Sequence, residues 1–160
     1  MAHCPSRALW SSTTRTRDAG RLIRCFGIRL DSPIKGLDFL FPRPEDLANA
    51  DLSVAGLSIA RGASVRKLAS AVVRGTLSFD NSKPLEETVE MLRETCGISE
   101  GTAQWIAMRS FGEPDAFPAV DRTLRGELGG GISVSAKEAA RMADQWRPWR
   151  AYAAHHLVIE

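Results

Sequence analysis

The chain has 160 residues, of which 44% are hydrophobic and 25% are charged, and its formal net charge is +2. This length and hydrophobic content allow one sizeable core, so we expect one domain. The small net charge does not by itself indicate a nucleic-acid partner. No apolar run in the sequence approaches the roughly 20 residues of a membrane-spanning helix, so no membrane partner is expected.

The amino-terminal part of the chain is basic. Residues 1–30 contain six arginines but a single acidic residue, Asp18. Such a segment either contacts phosphates or is a solvated end, and its Arg, Ser and Thr content is also typical of a transit peptide. It lacks the apolar segment of a secretory signal, so secretion is not expected. Because residues 1–14 show no periodic pattern, we predict an irregular basic arm over 1–14 and a folded domain over 15–160.

Helical periodicity recurs through that domain, and Pro, Gly and Ser residues mark the helix ends. The predicted helices cover residues 15–26, 44–50, 65–75, 86–94, 102–111, 122–128, 136–146 and 148–158. Ser64 is the predicted N-cap of the third helix, and Asp51 is the predicted cap of a short helix before it. No stretch alternates over the length of a strand, so we predict an all-α helical bundle.

Cysteine usage limits the redox compartment. Cys4, Cys25 and Cys96 are widely spaced, and none of them belongs to a C-x-x-C pair. This pattern favours a reducing compartment and argues against a zinc or iron–sulfur site.

The residues from about 85 to 112 have the pattern of two helices joined by a tight turn. Gly97 and Gly101 bracket this turn, which a helix could not cross without the conformational freedom of glycine. Such a turn directs backbone N–H groups outward beside the positive end of the next helix, which makes it a phosphate site. Asp121 follows Phe117 and Pro118 and precedes a predicted helix, where an aspartate is most simply an N-cap.

Three segments resemble the 3-methyladenine DNA glycosylase II family. Cys96–Arg109 resembles the family's helix–hairpin–helix motif, and Gly112–Pro118 followed by Asp121 resembles the approach to its catalytic aspartate. Trp146–Ala153 resembles its final helix. The resemblance implies a helical bundle of the helix–hairpin–helix DNA glycosylase type. The start of the chain lacks the family's signature, so we expect an N-terminally truncated member without the usual N-terminal subdomain.

The resemblance implies a monofunctional DNA glycosylase that acts in base-excision repair. Its substrate would be double-stranded DNA containing alkylated purines such as 3-methyladenine, which it would excise by hydrolysis of the N-glycosidic bond after flipping the nucleotide. Asp121 matches the catalytic aspartate. Trp105 matches an aromatic residue of the base pocket, although its helical spacing equally suits a core residue. The residues that would bind the DNA backbone are Gly97, Ser99, Gly101 and Thr102.

The resemblance also bears on cofactors and on strand cleavage. No cofactor is required, although the hairpin could hold a structural monovalent cation through the backbone carbonyls of Thr95 and Gly97. Gly101 stands where related enzymes that also cut the backbone use a Schiff-base lysine, which implies base excision without strand cleavage. We expect a monomer that acts in the cytoplasm, or in the nucleus if the cell is eukaryotic.

The hairpin departs from the family pattern at three positions. Cys96 replaces a proline, Ser99 replaces a glycine, and Gly101 replaces an aromatic residue that would form one wall of the pocket. If Ser99 had to adopt a positive φ, the cost would be about 1 kcal/mol. These departures leave two alternatives open: a DNA-binding remnant that excises nothing, and a truncated fragment that needs a partner to supply a missing lobe.

Overall fold

The computed structural model describes residues 7–31, 34, 36–79 and 83–159. The backbone divides into two compact units, residues 1–78 and residues 79–160, a division that the sequence did not indicate. In the described part of the chain, no helix has both the length and the hydropathy that crossing a membrane requires.

The first unit is built from helices around a small apolar core. Its elements are α1 (Arg7–Phe26), β1 (Ile28–Arg29), β2 (Phe39–Leu40), α2 (Pro44–Ala48), a 3₁₀ turn (Leu52–Ala55) and α3 (Ile59–Val73). The core joins buried residues of α1, α2 and α3 to those of the 3₁₀ turn. Its buried members are Leu22, Leu47, Leu52, Ala55 and Ala69.

A two-stranded antiparallel sheet adds to the predicted all-α bundle. Ile28 pairs with Leu40, and Arg29 pairs with Phe39. Each strand has two residues, which is too short for an alternating pattern to be visible in the sequence. The all-α class is confirmed, and the sheet is a minor addition to it.

Helix α1 begins earlier than predicted. It starts at Arg7, within the segment 1–14 that we predicted to be an irregular arm, whereas residues 1–6 lie outside the described residues. Extending a helix is cheap once its nucleus has formed, so polar residues without an apolar period can join an existing helix. The prediction of an irregular arm is therefore wrong from Arg7 onward.

Helix α3 also begins earlier than predicted. Its N-cap is Ser58, whose Oγ accepts a hydrogen bond from the backbone N–H of Arg61 at 3.4 Å, and Ser64 lies inside the helix. The preceding turn is capped by Asp51, as predicted, and ends at Gly56 with a φ of 75°. This left-handed residue reverses the chain just before Ser58, so the helix starts at the first serine available.

The second unit contains the hairpin and the helices that follow it. Its elements are α4 (Leu85–Cys96), α5 (Glu100–Ile106), a π-helical turn (Ala107–Phe111), α6 (Arg122–Leu128), α7 (Ala136–Ala143), a 3₁₀ turn (Asp144–Trp146) and α8 (Arg150–Ile159). Ser135 caps α7, with its Oγ accepting from the backbone N–H of Glu138 at 3.1 Å. The core cluster behind α6 consists of Phe117, Leu124, Ala139, Ala143 and Ala154.

Candidate functional site

The hairpin that joins α4 to α5 has a regular capped geometry. Gly97 ends α4 with a φ of 65°, and its N–H donates to the carbonyl of Arg93 at 2.9 Å. Ser99 is the N-cap of α5, with an extended φ of −70°. Its Oγ accepts from the backbone N–H of Thr102 at 3.4 Å and lies 3.0 Å from the Thr102 hydroxyl. Serine therefore fits this position without strain, and the cost considered for a positive φ does not arise.

The predicted DNA-backbone residues do not share one environment. Gly97, Ser99 and Thr102 are exposed, as a surface for phosphates requires, whereas Gly101 is buried. A side chain at position 101 would overlap Cγ2 of Val120, which comes from the loop before α6. Gly101 therefore contributes close packing, and the solvent-facing part of the hairpin consists of its neighbours.

One face of α5 receives the loop that leads to α6, residues 112–121. Gly101, Gln104 and Trp105 are spaced by three and four residues, so they lie on the same side of the helix. The Gln104 Oε1 accepts from the backbone N–H of Phe117 at 3.0 Å. The Trp105 indole Nε1 donates to Oδ2 of Asp121 at 3.1 Å. Residues far apart in the sequence thus meet at this face.

The Asp121 carboxylate accepts hydrogen bonds from three groups of the protein and can accept more. As N-cap of α6, its Oδ1 accepts from the backbone N–H groups of Thr123 and Leu124 at 2.9 and 3.1 Å, while Oδ2 accepts from Trp105. The side chain is half-buried. An ionised carboxylate has about four acceptor positions, so three hydrogen bonds fix its orientation and leave capacity for a water molecule or a developing positive charge.

Trp105 lies beside this carboxylate rather than in the core. It is half-buried, and the guanidinium carbon of Arg109 lies 5.0 Å from its ring centroid. This distance is within the range of a cation–π contact. The indole therefore has two interactions, a hydrogen bond to Asp121 and an aromatic face that attracts a cation. Its burial and contacts do not match the alternative of a core aromatic residue.

A partly buried ion pair anchors the loop. Arg150 of α8 donates through Nε to Oδ1 of Asp115 at 2.7 Å, and through Nη2 to Oδ2 at 2.9 Å and to the backbone carbonyl at 2.8 Å. Arg147 donates to the same carboxylate. The side chain of Arg150 is only 12% exposed. Both arginines thus bind the loop that carries Asp121.

Some residues of this site were not identified from the sequence. They are Val120, Gln104 and Asp115, whose contacts depend on how the loop passes over α5 and α8, and Arg109, which contacts Trp105. Their spacing carries no local signal, since the contacts of Gln104 and Asp115 span 13 and 35 residues. The i, i+4 spacing of Trp105 and Arg109 was the one sequence signal available.

Thr95 and Gly97, the two residues whose carbonyl groups could hold a cation, lie at the start of the hairpin. Thr95 lies in the last turn of α4, and Gly97 is its C-cap. Among the residues that the structure describes, no cluster of three or more His, Cys, Asp or Glu side chains could bind a metal. Any cation at the hairpin would therefore depend on backbone carbonyl groups.

Comparison with known proteins identifies related sequences. No protein-family model matches the chain. The probable bifunctional transcriptional activator/DNA repair enzyme AlkA of Mycobacterium tuberculosis is 31% identical over 148 residues, which cover 92% of this chain and 30% of that protein. DNA-3-methyladenine glycosylase 2 of Escherichia coli is 30% identical over 140 residues, covering 86% of this chain and 48% of that enzyme. The chain thus spans less than half the length of these curated relatives.

Solved structures agree on the fold. The 3-methyladenine DNA glycosylase of Archaeoglobus fulgidus matches 92% of this chain and 52% of its own, with a TM-score of 0.78 and 21% identity. The Schizosaccharomyces pombe 3-methyladenine DNA glycosylase in complex with abasic DNA matches 95% of this chain and 76% of its own, with a TM-score of 0.73 and 22% identity. The predicted resemblance is confirmed: the chain has the helix–hairpin–helix DNA glycosylase fold and is homologous, over most of its length, to the 3-methyladenine DNA glycosylases.

Proposed function

We propose that this chain is a monofunctional DNA glycosylase that excises alkylated purines such as 3-methyladenine from duplex DNA in base-excision repair. The observation that carries the proposal is the Asp121 carboxylate, which three hydrogen bonds fix beside α5 of the hairpin. The homology of the chain to an enzyme named as a 3-methyladenine DNA glycosylase supports the proposed substrate class. The chain spans part of those enzymes, so its activity requires a direct test.

The proposed reaction places a negative charge where positive charge develops. The enzyme must flip the damaged nucleotide out of the stack before it can reach the bond between C1′ and the base nitrogen. As this bond breaks, positive charge accumulates on the sugar, and the carboxylate of Asp121 stabilises it. Water then adds to C1′, and Asp121 accepts a proton from it as a general base. The fixed carboxylate favours this role because its orientation is set before substrate binds.

Trp105 is the proposed stacking surface for the flipped base. Alkylated purines such as 3-methyladenine carry positive charge in the nucleotide, so an electron-rich indole attracts them. The ring of Trp105 already attracts the guanidinium of Arg109 in this structure. Its hydrogen bond to Asp121 would place a stacked base near the carboxylate.

The hairpin is proposed to bind the DNA backbone. Gly97, Ser99 and Thr102 are exposed there, next to the first turn of α5. The backbone N–H groups of that turn attract phosphates. No lysine lies between Lys83 and Lys137, so this region offers no amine for a Schiff base and for strand cleavage. The proposed partner is double-stranded DNA bound by a monomer, in the cytoplasm or the nucleus.

A monovalent cation is a further proposal for the hairpin. The C-terminal end of α4 is the negative end of its dipole, which favours a cation. Among the described residues, the carbonyl oxygens of Thr95 and Gly97 accept none of the backbone hydrogen bonds outside regular helices. They would hold the ion and stiffen the turn. Replacing potassium with the bulky tetramethylammonium ion should then lower the melting temperature, and an unchanged value would contradict the proposal.

A second candidate is a DNA-binding remnant that excises nothing. Both oxygens of Asp121 already have protein partners, and the guanidinium of Arg109 lies over the ring that would receive the base. These contacts favour a purely structural role for the same residues. The two candidates share the hairpin and differ in chemistry alone.

Release of free 3-methyladenine from methylated duplex DNA separates these candidates. We expect the native chain to release the base and Asp121→Asn to release none, while both bind duplex DNA at low salt. Asparagine is a good N-cap, so this variant keeps the start of α6. Binding without release by the native chain would support the remnant instead. Absence of a cooperative melting transition would indicate a fragment that needs a partner.

A further inference from the structure

The first turn of α5 contains a position where a side chain would displace its neighbour. Gly101 is buried, and a Cβ atom there would overlap Cγ2 of Val120. The φ of Gly101 is not positive, so its backbone conformation would accept any residue. Glycine at this position therefore permits the close approach of Val120, and any other residue would force Val120 to shift.

Val120 makes this contact although it is not a core residue. Its side chain is 44% exposed, so burial of apolar surface explains little of its placement. Val120 is β-branched, and its side chain is therefore stiff about the first torsion angle. Because this stiff side chain packs directly against the backbone of Gly101, it fixes the distance between the loop and α5.

The contact lies next to the candidate catalytic carboxylate. Val120 and Asp121 are consecutive, so their Cα atoms are about 3.8 Å apart. Their partners on α5, Gly101 and Trp105, are four residues apart, which corresponds to a rise of about 6 Å. Besides the hydrogen bond between Phe117 and Gln104, the loop thus contacts this face of α5 at two neighbouring points, Val120 on Gly101 and Asp121 on Trp105.

We propose that the Gly101–Val120 contact positions the Asp121 carboxylate, with Val120 as a positioning residue for the reaction. The three hydrogen bonds of Asp121 orient the carboxylate, whereas the Val120 contact sets the distance between the loop and α5 at this point. A methyl group on residue 101 would push Val120 outward and carry Asp121 away from the indole. The geometric part of this inference stands alone, and its effect on excision rests on the function proposed above.

The test combines one substitution with its compensating partner. Gly101→Ala should displace the loop, whereas Gly101→Ala combined with Val120→Ala removes the overlapping Cγ2 atom and should let the loop return. Gly126→Ala is the matched control, because it is the same change in α6 and its added Cβ has no neighbour within 4 Å. Each variant is first checked for cooperative melting.

Two readouts separate positioning from a general loss of structure. The first is the NMR resonance of the Trp105 indole N–H proton, assigned by its loss in Trp105→Phe. The second is single-turnover excision of 3-methyladenine, for which a displacement of about 1 Å costs about 100-fold in rate. Gly101→Ala should shift the resonance and slow excision by about that factor without weakening duplex binding. The double variant should recover both readouts, and Gly126→Ala should change neither.

The opposite results would overturn the inference. A native indole resonance and native excision in Gly101→Ala would show that the contact does not set the position of Asp121. A double variant as impaired as the single one would show the same. If Gly101→Ala fails to melt cooperatively, Val120→Ala takes its place: the inference predicts faster solvent exchange of the indole proton, and unchanged exchange contradicts it. If the native chain excises nothing, the resonance still tests the positioning, so the two failures are distinguishable.

Discussion

Asp51 and Asp121 have the same local role in the two units of the chain but different surroundings. Each caps a helical turn, and each uses Oδ1 to accept a backbone N–H two residues further on, at 3.0 Å for Asp51 and 2.9 Å for Asp121. Asp51 is exposed, whereas Asp121 is half-buried and its Oδ2 accepts from Trp105. Capping alone therefore does not set the two aspartates apart. A second, long-range contact, which fixes the other oxygen of Asp121, does.

Release of the loop that leads to Asp121 should have the largest effect on the surroundings of Asp121 and on stability. Asp115→Ala leaves Arg150, which is only 12% exposed, without its carboxylate partner. Removal of one member of a buried pair leaves an uncompensated charge, so we expect a loss of about 3 kcal/mol in the free energy of unfolding. Denaturant titration measures this loss. With the loop released, the indole resonance of Trp105 should also shift.

An exposed ion pair provides the control for that variant. Glu138→Ala removes the pair with Arg141, whose side chain is 72% exposed, and solvent screening leaves such a pair with little effect on stability. A loss in Asp115→Ala no larger than the loss in Glu138→Ala would contradict the anchoring role of Asp115.

Removal of the indole donor should make Asp121 resemble Asp51. Trp105→Phe keeps an aromatic ring and deletes the hydrogen bond to Oδ2, leaving a carboxylate that is held through one oxygen. A hydrogen bond to a charged group contributes about 1.5–3 kcal/mol, and half-burial of both side chains places the expected loss near the lower value. Thermal denaturation of the variant and the native chain measures the difference. Equal melting temperatures would show that the bond does not form in solution.

The cation on Trp105 should have a smaller effect. Arg109→Gln removes the guanidinium that lies 5.0 Å from the ring centroid. At an exposed site this contact contributes about 0.5–1 kcal/mol, so we expect a loss of that size in the free energy of unfolding. High salt should leave the stability of Arg109→Gln closer to that of the native chain than low salt does, because salt screens the contact. A loss that does not depend on salt would point to packing of the Arg109 side chain.

The smallest expected effect concerns the exposed cap. Hydrogen bonds from the hydroxyl and the backbone N–H of Ser53, with a weaker contribution from Arg66, lower the pKa of Asp51 below its ordinary value of 3.8. A carboxyl whose pKa falls on folding stabilises the protein above its unfolded pKa, and this contribution disappears as the pH falls through the folded value. Asp51→Asn should remove this small pH dependence. A carboxyl-carbon NMR titration of Asp51 should have its midpoint below 3.8, and a midpoint at or above that value would contradict the cap.

The capped hairpin and α6 could be predicted because their signals are local. Gly97 and the Asp121 cap act on residues within one turn, so their chemistry is visible in the sequence itself. The start of α3 was predicted wrongly because Ser58 and Ser64 carry the same local signal, and the preceding left-handed Gly56 decided between them.

The packing of the site could not be predicted for the opposite reason. Val120 reaches Gly101 because Gln104 and Arg150 fix the path of the loop. That path depends on contacts across as many as 35 residues, which spacing alone does not encode. We expected Gly101 to give the turn its conformational freedom, but it lies inside α5 without a positive φ. Its contact with Val120 required the structure.

The most direct test of a role for Asp121 in excision is the release of 3-methyladenine by Asp121→Asn and by Asp51→Asn, measured side by side with the native chain. Both variants exchange a capping aspartate for a capping asparagine, so they differ in the surroundings of the carboxylate. We expect no release of base by Asp121→Asn and native release by Asp51→Asn, with duplex binding intact in both. Equal release by the two variants would contradict it, because Asp121 would then be a helix cap and nothing more.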